Sequence, residues 1–245
     1  MSYIPRTLRR TRPVERSPHA RRAAAVGAAA LAAVFAAALL AAPAPAAADG
    51  AATGQVQQAQ IVAGDPFINT SAPHSRCTIG AVVTVGFLAA STCGSAGDRI
   101  SGRDGGTGTV AWSSKESGVL LVEADDNWRP TPYINTHGGG RAVVRGTTEA
   151  PVGAGVCRTG STTGWHCGII QAKNQTIRTP DGTVYNVTRT NVCAEPGDQG
   201  GAFYSGGHLQ GLTLGGSGNC ASGGTTFFLP IGPILARYAL TPVTG

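Results

Sequence analysis

Six cysteines are the side chains best suited to chemistry in this sequence: Cys77, Cys93, Cys157, Cys167, Cys193 and Cys220. Zinc would ask for closely spaced ligand pairs, and no C-x-x-C pair occurs. An even count in an oxidising compartment predicts three disulfides instead, and six cysteines allow 15 pairings. Paired sulfurs leave no thiolate, so no cysteine nucleophile is expected. No metal and no cofactor are expected either. Four histidines follow the first fifty residues, His74, His137, His166 and His208. Each stands alone in a loop-like stretch and reads as a surface residue.

The amino terminus supplies the route to that compartment. Arg6, Arg9, Arg10, Arg12, Arg16, Arg21 and Arg22 precede an uncharged stretch, Ala23 to Ala42. Pro43 ends it, and Ala46-Ala47-Ala48 offers a small-residue cleavage site before Asp49. This order is that of a secretory signal over residues 1–48, and secretion is the expected localisation. An uncleaved anchor is the rival, since the uncharged stretch is 20 residues long and could just span a bilayer. Its alanine-rich make-up and the cleavage site favour removal, so no stable membrane span is expected afterwards.

Charge excludes a nucleic-acid partner. The formal net charge is +6, but seven Arg and one Glu lie within residues 1–48. Twelve basic and twelve acidic residues remain after them, a net of zero. The remainder therefore has no basic excess to hold phosphates.

The elements that must position any site are strands. Gly and Pro number 36 and 15, and charged residues are 13% of the chain, which excludes a coiled coil and disfavours a helical bundle. Residues 49–60 read as a flexible lead-in. Short apolar runs follow at 79–88, 108–112, 118–122, 141–144, 168–172, 183–188, 209–214 and 226–229. Gly, Asn, Asp and Pro bound most of them, so the class is all-β. Only 232–240 has helical spacing, through Ile234, Leu235 and Tyr238. Pro and Gly near 149–155 suggest a boundary between residues 61–148 and 149–245.

One loop carries a family signature. Cys193-Ala-Glu-Pro-Gly-Asp-Gln-Gly-Gly201 resembles, one letter apart, the C-x-x-x-G-D-S-G-G nucleophile loop of chymotrypsin-fold serine proteases. Val156 to Gly168, Gly211 to Cys220, Val144 to Glu149 and Ile234 to Gly245 are similar to the streptogrisin and α-lytic protease branch. The resemblance spans Ile61 to Gly245. It implies two six-stranded antiparallel β-barrels, residues 61–148 and 149–245, with a cleft between them and a short carboxyl-terminal helix. It also implies the pairings Cys77–Cys93, Cys157–Cys167 and Cys193–Cys220. That branch usually has a long pro-segment, and here about ten residues separate the signal from Ile61.

Tested position by position, the resemblance fails at the chemistry. Such an enzyme needs a hydroxyl nucleophile, an imidazole base and an orienting carboxylate. Ala89-Ala-Ser-Thr-Cys93 matches the family's T-A-G-H-C, so Thr92 stands at the base position. Lys115-Glu-Ser-Gly-Val119 matches its N-D-x-(A/G)-hydrophobic run, so Glu116 stands at the acid. Gln199 stands at the nucleophile, and an amide is no useful nucleophile. Leu214 replaces the serine that supports the acid. Losing triad members costs about 10⁶ in kcat in a comparable enzyme. Other family parts carry over: Gly197 and Gln199 in the oxyanion loop, and Arg158 with Asp198 as a buried ion pair. The implied pocket walls are Ala194, Glu195, Pro196, Thr213, Leu214, Gly215, Gly216, Thr225 and Thr226.

The resulting expectation is a secreted, monomeric pseudoprotease that binds peptide or protein segments, a protease inhibitor among them, without cutting. The alternatives are an active secreted endopeptidase of the streptogrisin type with an apolar P1 preference, and a structural or adhesive surface protein. Packing makes one further demand. Thr92, Glu116 and Gln199 should form a neutral hydrogen-bonded cluster, or Glu116 should turn out to solvent, since Leu214 offers no donor.

Overall fold

A computed structural model describes residues 58–72, 76–179 and 182–245. The signal expected over residues 1–48 lies outside the described residues, as does His74. Ala59 and Gln60, expected in a flexible lead-in, instead open strand β1 (Ala59–Ala63).

The first half contributes nine further strands. These are β2 (Pro66–Asn69), β3 (Arg76–Thr78), β4 (Val82–Val83), β5 (Gly86–Ala90), β6 (Arg99–Gly102), β7 (Thr107–Ser114), β8 (Val119–Ala124), β9 (Trp128–His137) and β10 (Gly140–Val143). They form two hydrogen-bonded sets rather than one closed six-stranded ladder: a seven-stranded sheet ordered β3-β2-β6-β7-β8-β5-β4, and a three-stranded β1-β9-β10. β1 runs parallel to β9. The barrel-like wrap closes through side chains, with Phe87 at 5.2 Å from both Phe67 and Trp128, centroid to centroid.

Two differences from the sequence pattern have clear causes. The apolar run 79–88 is not one strand. It folds back on itself, with Val82 opposite Phe87 and Val83 opposite Gly86. Gly86 permits this at φ 152°, and a Cβ there would collide with the carbonyl of Val122. β9 has no counterpart in the apolar pattern because Pro130 and Pro132 interrupt it, and prolines argue against a central strand.

The second half is a closed antiparallel barrel of six strands. β11 (Gly155–Gly160), β12 (Gly164–Thr179), β13 (Gly182–Thr190), β14 (Ala202–Ser205), β15 (His208–Asn219) and β16 (Gly223–Pro230) are ordered β11-β12-β13-β16-β15-β14. Closure leaves no edge to pair with other chains. Phe203 and Phe228 stack in its interior at 4.6 Å, beside Val156, Ile170 and Val192.

Helix α1 covers Ile231–Arg237 and is shorter than the pattern at 232–240. It stops because Ala239 takes a left-handed conformation, φ 50°, and Pro242 follows. Tyr238 stacks on Trp112 at 4.0 Å and its hydroxyl lies 3.0 Å from Ser117 Oγ. The carboxyl end is thereby fastened to the β7–β8 hairpin. Disulfides join Cys77 to Cys93, Cys157 to Cys167, and Cys193 to Cys220. Among the described residues, no helix is long and apolar enough to cross a membrane.

Candidate functional site

The loop 193–201 connects β13 to β14 and is held from below by charge. Arg158 on β11 is wholly buried, and so is Asp198. Arg158 Nη1 lies 3.2 Å from Asp198 Oδ2. Its angle is too poor for a hydrogen bond, so this is a charge contact. The other guanidinium nitrogens are well placed: Nε donates to the Cys193 carbonyl at 2.8 Å and Nη2 to Thr163 Oγ1 at 2.6 Å. Asp198 accepts the backbone N–H groups of Thr162, Thr163 and Glu195 at 3.0–3.1 Å, and the Thr163 hydroxyl at 2.6 Å. Burial pushes the Asp198 pKa up. The Thr163 hydroxyl, the Glu195 and Thr163 amides and the Arg158 charge outweigh it and hold the pKa below its usual value. Burial also lowers the Arg158 pKa, against the opposing pull of Asp198 and Glu195.

The first half braces the same loop. Thr78, next to Cys77, donates its hydroxyl to the Gly197 carbonyl at 2.7 Å. Gly197 has φ 98°, a turn that L side chains rarely adopt. This turn sends the next two side chains to opposite sides, Asp198 inward and Gln199 outward.

Gln199 faces a cleft of about 670 Å³. Thr92 reaches it from the 3₁₀ turn Ser91–Cys93, which ends β5 and is anchored by Cys93. Leu214 reaches it from β15. Three of the four positions singled out in the sequence therefore share one cavity. Glu116 is not among its lining residues; Lys115 and Gly118, on either side of it, are. The Glu116 side chain is 81% exposed and its Oε2 lies 3.7 Å from Arg237 Nη2. Of the two arrangements expected for Glu116, the structure has the solvent-facing one. No hydrogen bond joins Thr92, Glu116 and Gln199 to one another. The reason is local: the turn donates Gly118 N–H to the Lys115 carbonyl at 3.3 Å, and Leu214 presents the cleft with methyl groups instead of a donor.

Gln199 finds its partner elsewhere. Its Oε1 accepts the backbone N–H of Gly197 at 2.7 Å. That N–H was expected to be an open oxyanion donor, and here the loop's own side chain takes it. The bond also fixes which way the amide points, because only the carbonyl oxygen can accept from an N–H. Nε2 is left without a protein partner among the described residues.

The residues expected as pocket walls are only partly among those that line this cleft. Leu214, Gly215 and Gly216 line the cleft; Ala194, Glu195, Pro196, Thr213, Thr225 and Thr226 do not. Thr213 and Thr226 are buried, with hydroxyls donating to the Gly201 and Val192 carbonyls at 2.9 and 2.6 Å. Glu195 turns back to accept the Cys220 N–H at 3.0 Å. The missing walls come from the long β12–β13 hairpin, through Ile177, Arg178, Thr179 and Val184, with Phe227 beyond. A signal for them existed. In the sequence, Pro180-Asp181-Gly182 between two β-rich runs is a hairpin-turn signal, but the apolar runs at 168–172 and 183–188 are too short to show how far the two strands extend.

No histidine is among the described residues lining the cleft. His137 Nε2 lies 3.3 Å from Thr159 Oγ1, His166 Nε2 lies 2.9 Å from the Thr163 carbonyl, and His208 Nδ1 accepts the Thr148 N–H at 3.2 Å. His166, Cys193 and Cys220 approach one another within 4.8 Å. Both sulfurs are committed to a disulfide, so they offer a metal nothing.

A six-stranded barrel packed on a second barrel-like half, with a cleft bordered by this loop, is the chymotrypsin fold. The family model for trypsin matches residues 70–236, and the chain belongs to that serine protease family. Among curated relatives it is similar to streptogrisin-C of Streptomyces griseus, 47% identical over 193 residues that cover 76% of this chain and 42% of the relative. It is also similar to streptogrisin-A of the same organism, 36% identical over 74% of this chain and 61% of the relative. The chain thus spans about half the length of these proteins. Among solved structures, the chymotrypsin of Cellulomonas bogoriensis superposes with a TM-score of 0.71 at 45% identity, covering 76% of this chain and all of that one. A Nocardiopsis protease does so with 0.71 at 43%, over the same shares.

Proposed function

We propose that this chain is a secreted, non-catalytic member of its family that binds peptide or protein segments in the cleft. Gln199 carries the proposal. It stands where the family's loop has serine, it has no nucleophilic atom, and its carbonyl fills the Gly197 N–H that would polarise a scissile carbonyl. Thr92 offers no base beside it, and Glu116 points away. The cleft itself is open and mostly apolar, with donors at Thr92 and Gln199, as a binding site requires. Residues 61–148 and 149–245 serve as its two walls, and the disulfides suit an extracellular setting.

The competing reading is an active endopeptidase, favoured by the family and by the names of its relatives. Purified protein is tested with an apolar-P1 peptide substrate and with a serine-directed fluorophosphonate. No hydrolysis and no labelling are expected. Stoichiometric covalent labelling overturns the proposal. Four substitutions together, Thr92→His, Gln199→Ser, Glu116→Asp and Leu214→Ser, should restore measurable hydrolysis. Each alone should do almost nothing, because the triad acts as a unit.

A further inference from the structure

The charges around the cleft are one-sided. Lys115 enters from the β7–β8 turn and Arg178 from the β12–β13 hairpin, and no Asp or Glu is among the described lining residues. Both side chains belong to exposed residues, and neither has an ion-pair partner among the described residues. Three described carboxylates close in sequence to the cleft are engaged elsewhere. Asp198 is buried against Arg158. Glu116 faces Arg237, and Glu195 accepts the Cys220 N–H. Gln199 adds a neutral donor, since its Oε1 is taken and its Nε2 is not. Between these donors lie the apolar side chains of Ile177, Val184, Leu214 and Phe227.

We infer that the cleft selects an extended peptide in which an apolar residue is followed by an acidic one. The apolar side chain packs among Ile177, Val184, Leu214 and Phe227. The carboxylate sits within the field of Lys115 and Arg178 and can accept from Gln199 Nε2. The support is charge complementarity: two cations lining an apolar cleft, with no ion-pair partner among the described residues, attract an anion and repel a cation. A local positive field in a chain with no basic excess after residue 48 is a property of this cleft, not of the whole surface. The inference rests on the proposal that the cleft binds peptides, and it adds the class of peptide.

The test uses three acetylated hexapeptide amides, Gly-Ala-Leu-X-Ala-Gly, with X as Asp, Asn or Lys, each carrying the same uncharged fluorophore. Anisotropy is measured with the full chain at low salt and at 0.5 M salt. The Asp peptide should bind about fivefold to tenfold tighter than the Asn peptide, the sum of two exposed charge contacts, and tighter still than the Lys peptide. The preference should shrink at high salt. The double variant Lys115→Gln with Arg178→Gln should bind Asp and Asn peptides alike while retaining the wild-type melting temperature, both positions being exposed. Equal binding of the three peptides by the wild type overturns this inference and leaves the peptide-binding proposal standing. Binding of none of them, even at millimolar concentration, counts against both. A preference that survives unchanged in the double variant overturns the assignment to Lys115 and Arg178.

Discussion

Asp198 and Gln199 are adjacent in the chain and opposite in environment. Asp198 is fully buried and uses both oxygens on four hydrogen bonds and a cation. Gln199 is half-buried, makes one bond to its own loop and faces a cleft. On the inner side, a carboxylate can stay charged only where hydrogen bonds and an opposite charge replace water, so any substitution leaves several groups orphaned. On the outer side, water and empty space accommodate a different side chain at small cost. The buried frame under the loop is therefore more tightly specified than the cleft surface above it.

The largest expected effect comes from breaking the inner side. Arg158→Met or Asp198→Asn should each cost about 3–5 kcal/mol, the usual penalty for stranding one member of a buried pair. Urea denaturation of the intact disulfide form measures it. The double variant should cost clearly less than the sum, because the stranded charge is gone. It should still fall below wild type: asparagine keeps one oxygen for the Thr162 and Thr163 amides, but its NH2 replaces the oxygen that accepted from the Glu195 amide and the Thr163 hydroxyl. On the outer side, Gln199→Ala should cost only about 1 kcal/mol, one hydrogen bond. Equal losses at 198 and 199 would abolish the contrast.

Acid sharpens the same comparison. The Asp198 pKa is lower folded than its ordinary 3.8, so below that value the unfolded chain binds more protons. Its contribution is complete above about pH 4 and is lost as pH falls through the folded pKa. His137 acts in a higher window. Burial lowers its pKa below 6.5, only partly countered by Asp65. The unfolded chain takes up that proton first, so stability should decline as pH falls from 6.5. His137→Gln should flatten this upper slope, whereas Asp198→Asn should flatten only the lower one, in denaturation midpoints measured across pH.

Those two sides were not equally legible in the sequence. The loop, the three disulfide pairings and the Arg158–Asp198 pair were legible through the family resemblance of their motifs; the cysteines alone leave 15 pairings open. Thr92, Gln199 and Leu214 could be placed by the same flanking matches. The cleft's outer wall could not. Ile177, Arg178 and Val184 come from a hairpin whose length, not its composition, carries it over the site. Likewise β9 was hidden by Pro130 and Pro132: Pro130 lies opposite Ile61 on β1, and Pro132 falls where the register with β1 slips. The orientation of Glu116 was open, since it depends on which side of a short turn the chain presents.

That turn gives the smallest predicted effect. Glu116 sits at 3.7 Å from Arg237, beyond hydrogen-bond reach, with the two side chains 81% and 56% exposed. Water screens such a pair and replaces it when it parts, so Glu116→Gln should change stability by less than about 0.5 kcal/mol. Glu116→Asp alone should be equally silent, since shortening an exposed side chain does not turn it inward. Bringing a carboxylate back to the cleft means reversing a turn centred on Gly118, φ 70°, whose position would set a Cβ 3.2 Å from Leu229 and 3.5 Å from Leu214. Leu214→Ser opens space beside that turn and supplies a donor at the same time. Glu116→Asp should therefore become perceptible only in the presence of Leu214→Ser, as a non-additive term in a double-mutant cycle. A loss above 2 kcal/mol from Glu116→Gln alone would mean that the carboxylate is buried and paired, and that this side of the cleft still holds its acid.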